Sequence, residues 1–222
     1  MADKSSTDAI LFPAPLPKGT TPGAHNLGWG RISFPFVFER AKDKVSKQDT
    51  KYEVCLLCPP GTDFAPLRAI LLDAMERRFG KDQKKWPTGP NARRPEDVIR
   101  PCEERPKHFG DFPGWHFISA RTDYAPLVRD QTKEPVYEQD GKRRFPRVTA
   151  EQADLVYAGR WARLAVNAYA FTTIKQGVSL GLEGVWLGKN DTRLAGGGSR
   201  ADSVADNLDD LAQEMEEETA LD

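Results

Sequence analysis

The spacing of apolar positions changes several times along this chain, and each change marks an element. Residues 28–38 (GWGRISFPFVF) are aromatic and β-branched, which predicts a strand, and Pro35 inside it predicts an end or a bulge there. Residues 51–58 (KYEVCLLC) read as a second strand, stopped by Pro59, Pro60 and Gly61, with charged 41–50 as an exposed hairpin loop between the two. The period then becomes helical. Leu67, Ile70, Leu71, Ala74 and Met75 share one side, while Arg68, Asp73, Glu76 and Arg77 face away. With Asp63 able to cap the start and Gly80 the end, an amphipathic helix is predicted over 64–79.

Residues 81–113 are rich in Lys, Arg, Pro and Gly and resist regular assignment, so they read as a long basic loop insertion. Alternation resumes at 115–121 (WHFISAR). Short extended pieces follow at 126–128 and 135–137, then a basic turn at 141–144 and a short capped helix at 149–156. Two long strands, 160–174 and 177–187, close the folded part and are joined at Lys175, Gln176 and Gly177. Glycines 177, 181, 184 and 188 read as bends of a barrel wall. Many strands with one helix and no β-α-β alternation predict a mainly β fold: an OB-fold-like barrel with one amphipathic helix and the loop insertion. The predicted boundaries are a flexible N-terminal arm over 1–26, a barrel domain over 27–194, and a Gly-rich linker with a disordered acidic C-terminal tail over 195–222.

The strand at 161–174 (WARLAVNAYAFTTI) carries the most chemistry. At period 2, Ala162, Leu164, Val166, Ala168 and Ala170 form an aliphatic face, and Trp161, Arg163, Asn167, Tyr169 and Phe171 form the other. Aromatic planes beside a cation hold single-stranded nucleic acid by stacking, at about 1–3 kcal/mol per base and without reading its sequence. Trp115, Phe117 and Arg121 repeat that chemistry on the 115–121 strand. The same rings would equally cover a second small core. The candidate stacking residues are Trp115, Phe117, Trp161, Tyr169 and Phe171. Candidate phosphate contacts are Arg31, Lys84, Lys85, Arg93, Arg94, Arg121, Arg143, Arg144 and Arg163.

Composition sharpens this picture once the charges are located. The chain of 222 residues has 32 Lys+Arg and 33 Asp+Glu, a net charge of -1. Nine of the acids lie in 201–222, where there is no Lys or Arg; the other 24 acids face 32 bases in 1–200, a net of +8. A basic body with a separate acidic tail points to an anionic polymer as partner. No apolar run approaches the ~20 residues that span a bilayer, and the N-terminus lacks the basic and apolar regions of a secretory signal. No membrane partner is expected.

Three cysteines, Cys55, Cys58 and Cys102, are too few and too odd in number for a disulfide framework, which points to a reducing cytoplasm. With His108 they make a set of zinc-ligand types, but Cys55 and Cys58 lie three apart in a strand and point to opposite faces, so buried thiols are the expectation. The histidines, His25, His108 and His116, form no catalytic pairing, and there is no nucleophile elbow, P-loop or HExxH motif. Neither an enzyme nor a cofactor is expected. In the tail, Leu208, Leu211 and Met215 recur at helical spacing among acids that include Glu216, Glu217, Glu218 and Asp222, a pattern suited to a basic partner or to the protein's own binding groove.

Four features together resemble a known family: the Phe-Pro-Phe-Val-Phe-Glu segment at 34–39, the Lys51-Tyr52 strand start followed by a Pro-Pro turn, Tyr157-Ala158-Gly159 leading into the Trp161 strand, and the closing Gly177-Val178-Ser179-Leu180-Gly181-Leu182 strand. In this order, over about 27–194, the chain resembles the phage single-stranded DNA-binding proteins of the Enc34 type, an OB-fold family. The resemblance implies sequence-independent binding that protects and organises single-stranded DNA in phage replication, recombination or repair, in the cytoplasm of the infected host. It also implies that the acidic tail competes for the groove and recruits replication or recombination proteins, and it is compatible with a homo-oligomer or cooperative array on DNA. Two departures stand out: the 64–79 helix and 81–113 segment exceed a minimal five-stranded barrel, and the tail ends in Leu221-Asp222 rather than an aromatic residue. The alternatives are a phage interaction or assembly protein that binds no nucleic acid, and an RNA-binding module.

Overall fold

The two longest alternating segments become the two longest strands, and the rest of the molecule is arranged on them. The computed structural model describes residues 24–43, 45–90, 92–172 and 175–194; the predicted tail with its linker, and all but the end of the predicted N-terminal arm, lie outside these residues. The strands are β1 (Ala24–Asn26), β2 (Gly30–Phe36), β3 (Tyr52–Cys58), β4 (Ala92–Arg93), β5 (Ile99–Pro101), β6 (His116–Thr122), β7 (Leu127–Asp130), β8 (Val136–Tyr137), β9 (Arg143–Arg144), β10 (Trp161–Thr172) and β11 (Gln176–Leu187). Helix α1 (Ala65–Phe79) follows β3, and a single turn, α2 (Pro106–Phe109), precedes β6.

Five strands form a ring in the order β2-β3-β6-β11-β10 and back to β2. All neighbours are antiparallel except β6 and β11, which pair in parallel at Leu180 with Ala120 and Gly181 with Arg121. The third and fifth strands are thus adjacent and parallel, as in an OB fold. Closure is short on this side and at β2–β10, where only Trp161 with Arg31 and Ala162 with Gly30 are paired.

Inside the ring, Ile32, Val54, Leu56, Ile118, Ala120, Leu164, Val166, Leu180 and Leu182 make the main core. Helix α1 adds Leu67, Leu71, Ala74 and Met75 to it, four of the five residues read as its apolar face; Ile70 is half-buried against the same core. Its start is held by Asp63, whose carboxylate accepts the Ala65 N–H at 2.9 Å. The Gly80 N–H closes its end on Glu76 O.

In β11 the inward positions are Val178, Leu180 and Leu182, then Val185 and Leu187. The change from even to odd is a bulge: Ala165 of β10 pairs with Gly184 and Val166 with Leu182, which leaves Glu183 over. A comparable bulge lies where Pro35 predicts one. The β2–β3 register shifts between Ser33 and Phe36, and Phe34 takes φ 49°.

Two expectations need correction. Residues 24–26, placed in the arm, form β1, which covers the free edge of β10 through Asn167, Val166 and Ala165. The 81–113 insertion is regular for much of its length: β4 pairs with β11, β5 with β6, and 3-10 turns lie between them. Gly181 of β11 and Gly188 just after it also make room for neighbouring groups. A Cβ on Gly181 would lie 2.1 Å from Asn167 Oδ1, and one on Gly188 would lie 2.3 Å from Cζ3 of Trp29.

A second apolar layer lies outside the ring on β2, β3 and β6. Phe34, Ala41, Cys55, Leu57, Cys102, Phe109, Phe112 and Phe117 form it, with Trp115 and Leu194 packed at its margin. Cys55 belongs to this layer and Cys58 to the main core, opposite faces as the strand period predicts. All three thiols are free and buried. Burial pushes Cys55 up to about 11 and Cys102 to about 12, so they stay protonated at neutral pH.

Candidate nucleic-acid interface

The outward face of β10 follows from its alternation. Because Ala162, Leu164 and Val166 are fully buried in the main core, Trp161, Arg163, Asn167, Tyr169 and Phe171 point to the other side, as the sequence predicts. From Trp161 to Phe171 this face runs about 33 Å at ~3.3 Å per residue, and its two ends differ in chemistry.

The tryptophan end is the more elaborate. The Trp161 ring lies 6.5 Å from Trp115, and Lys189 Nζ stands 5.2 Å over it. Arg31, the cross-strand partner of Trp161, lies 5.6 Å over Phe112, which itself meets Trp115 at 5.2 Å. Arg163 sits 4.4 Å over the Trp29 ring, and its partner on β11 is Trp186. Gly184 lets the Trp186 ring fold along the strand, since a Cβ there would lie 2.7 Å from it. Four of the five tryptophans therefore gather here, all partly exposed. The fifth, Trp86, is buried and donates to Gly80 O beyond α1. Trp29, Trp186 and Lys189 were not among the sequence candidates. The signal for Trp186 was its place opposite Arg163 in a hairpin, but the Glu183 bulge shifts that register by one residue.

The segment after β11 crosses this end. Gly188 N–H donates to Trp161 O, Tyr157 donates to Asp191 O at 3.1 Å, and Leu194 N–H donates to Ala158 O. The Asp191 carboxylate accepts the Trp161 indole N–H at 2.7 Å and stands 3.6 Å from Arg31 Nε. Burial pushes Asp191 up, but the Thr192 N–H, the indole and the charges of Arg31 and Lys189 outweigh it and hold the carboxyl below its usual value.

At the other end, Tyr169 is 41% exposed and its ring lies 6.2 Å from Phe171. Arg93, on β4 beside Gly177, is within electrostatic reach of Tyr169, Arg121 and Arg100. Burial pulls Arg93 down to about 10, still charged at neutral pH. Arg121 pairs with the buried Glu53 at 2.7 Å. Between the two ends, Asn167 donates to Glu183 at 2.6 Å.

The remaining candidates fall elsewhere. Phe117, expected to stack on bases, is 4% exposed within the outer apolar layer, with Arg100 and Arg105 over its ring at 5.4 and 5.7 Å. The 102–115 segment covers the face on which it lies, so its ring is core. Arg143 and Arg144 stand on the β8–β9 hairpin, where Arg144 makes a two-pronged contact with Asp140 and a third with Glu138, and Arg143 lies 3.8 Å from Glu134. Lys84 and Lys85 are exposed on the turn after α1, and Arg94 precedes a 3-10 turn with its N–H on Asp97. The tail candidates Leu208, Leu211, Met215, Glu216, Glu217, Glu218 and Asp222 lie outside the described residues.

Comparison with known proteins places this geometry. The family model described as the single-stranded DNA-binding protein of Enterobacter phage Enc34 matches residues 26–219. The chain belongs to that family. The match runs from β1 through the aromatic face and into the acidic C-terminal stretch. The chain also resembles the solved single-stranded DNA-binding protein of bacteriophage Enc34, at 18% identity and a TM-score of 0.56 over 86% of this chain and 96% of that one. The same phage protein in complex with single-stranded DNA is similar at 19% identity and a TM-score of 0.55, covering 82% and 97%. Its C-terminal truncation is similar at 17% and 0.55, covering 82% and 96%. At these identities the likeness carries the fold alone. No curated protein matches the chain.

Proposed function

We propose that this chain binds single-stranded DNA without sequence preference and organises it during phage DNA replication, recombination or repair in the host cytoplasm. The observation that carries this reading is the β10–β11 face, where partly exposed Trp161, Trp186 and Tyr169 alternate with Arg31, Arg163, Lys189 and Arg93. Flat rings beside cations suit unstacked bases and their phosphates, and the face offers no rigid array of base-edge donors. Membership in a family of single-stranded DNA-binding proteins supports the same reading. The acidic tail of 201–222 then competes with DNA for this face and recruits replication or recombination proteins. Arg143 and Arg144 are assigned to the hairpin's stability and Phe117 to the core, leaving Trp161, Tyr169, Phe171 and Trp115 of the sequence candidates, joined by Trp186, as the stacking set.

The test is a tryptophan-fluorescence titration with oligo-dT, duplex DNA and RNA at two salt concentrations. With four tryptophans on the proposed face, oligo-dT should quench strongly and duplex weakly. Quenching by RNA alone would reassign the module to RNA, and none by any polymer would favour an interaction or assembly protein.

A further inference from the structure

The contact between Asp191 and the tryptophan end has the geometry of an occupied anion site. Three groups that would hold a phosphodiester oxygen converge on its carboxylate. The indole N–H of Trp161 donates to Oδ2 at 2.7 Å, the Arg31 guanidinium stands 3.6 Å from the same oxygen, and Lys189 contributes its charge from above the Trp161 ring. The carboxylate, which also accepts the Thr192 N–H at 2.7 Å, is not the sole tie on its segment. Tyr157 clasps the Asp191 backbone through both its carbonyl and its N–H, Arg31 donates to Thr192 O, Arg193 lies 4.3 Å over Tyr157, and Leu194 is tied to Ala158. Gly159, at φ 103°, brings its backbone against this strap, where a Cβ would lie 2.3 Å from Thr192 O. The strap keeps several backbone contacts besides its one carboxylate, which is directed at the cations of the aromatic face.

We infer that Arg31, Lys189 and the Trp161 indole N–H form a subsite for one backbone phosphate, and that Asp191 fills it in the free protein as a tethered stand-in. This rests on the single-strand reading above and adds to it the position of one phosphate relative to one stacking ring. A strand whose base stacks on Trp161 brings its phosphate to the Arg31–Lys189 pair and displaces the carboxylate. An anion in this place keeps Arg31 and the indole oriented before DNA arrives, and it costs affinity because like charges must be exchanged.

The experiment compares the full chain with Asp191→Asn, Asp191→Asn/Arg31→Gln and Arg31→Gln in oligo-dT titrations over a series of salt concentrations. Asparagine retains an acceptor for the indole, so the strap and melting temperature should be kept. Asp191→Asn should bind several-fold tighter at low salt. Its slope of log K against log salt should steepen by about 0.7, the increment for one further phosphate contact on a single strand. Arg31→Gln should remove that increment. Weaker or unchanged binding of Asp191→Asn, with the parental slope and an intact fold, would overturn the subsite while leaving DNA binding in place. Absence of any quenching of the parental chain would instead overturn the single-strand reading itself, and the subsite with it.

Discussion

Phe117 and Trp161 show how much a residue's role depends on which side of a sheet is covered. Both are aromatic, both lie on alternating strands near arginines, and both suit base stacking on sequence grounds. Trp161 remains partly exposed because only the 188–194 strap crosses its end of β10, whereas Phe117 is sealed by Phe109 at 5.0 Å and by two guanidinium groups. Their alanine variants should separate cleanly. Trp161→Ala should weaken oligo-dT binding by about 1–3 kcal/mol with a small change in melting. Phe117→Ala should cost about 3–5 kcal/mol of stability through the cavity it leaves. A Trp161→Ala protein with parental affinity would move that ring to the core. Arg160, 2% exposed, is a third residue of this kind: it pairs with buried Asp130 at 3.3 Å and donates to Gly188 O and Leu155 O. Asp130→Ala strands this guanidinium, and chemical denaturation should report a loss of about 3–5 kcal/mol.

At the scale of elements, legibility follows the range of the contacts. Strands β10 and β11 and helix α1 were legible because each buries one face against a common core and burial imposes a period, whereas β3, buried on both faces, reads as a short apolar run stopped by Pro59 and Pro60. Segments β4 and β5 were not, because two or three residues show no period; they form where distant backbone, Gln176 and Gly177 in one case and His116–Ile118 in the other, offers free edges. The same limit hid the role of the β8–β9 hairpin, whose basic turn reads as a phosphate contact until Glu138 and Asp140 are seen to converge on Arg144. Hydrogen bonds from Arg144 hold Asp140 down at about 2, and those from Arg129 and Arg144 lower Glu138. A carboxylate with a depressed folded pKa stabilises above its unfolded value, here 3.8, and loses that contribution as the pH falls towards about 2. The hairpin should therefore loosen in that window. Amide exchange of Glu138, whose N–H donates to Lys142 O, followed from pH 5 to pH 2 checks it, and Asp140→Asn should remove most of the pH dependence.

For the whole molecule, the net charge of -1 conceals two opposed parts whose relative position the fold now defines at one point. The last described residue, Leu194, is bonded to Ala158 one residue from Gly159 and three from Trp161, so the acidic stretch is tethered at the tryptophan end of the face. Asp202 follows eight residues later, a reach of at most about 28 Å at ~3.5 Å per residue. Asp222, 28 residues on, has a limit of about 98 Å, so on the proposed reading the nine tethered acids would meet the cationic face at an effective concentration in the millimolar range, well above that of a free peptide. Deleting 201–222 should accordingly raise affinity for oligo-dT several-fold at low salt. The gain should shrink as ionic strength rises, because the Debye length falls from about 30 Å at 0.01 M to about 8 Å at 0.15 M. If the tail and Asp191 contest different parts of the face, the deletion combined with Asp191→Asn should add in log K to within experimental error. Competition for the same phosphate position would make each change weak alone, since the remaining anion takes the place, and the two together more than additive. A truncated chain that bound no more tightly than the full one at low salt would remove self-competition and leave the tail to its partners alone.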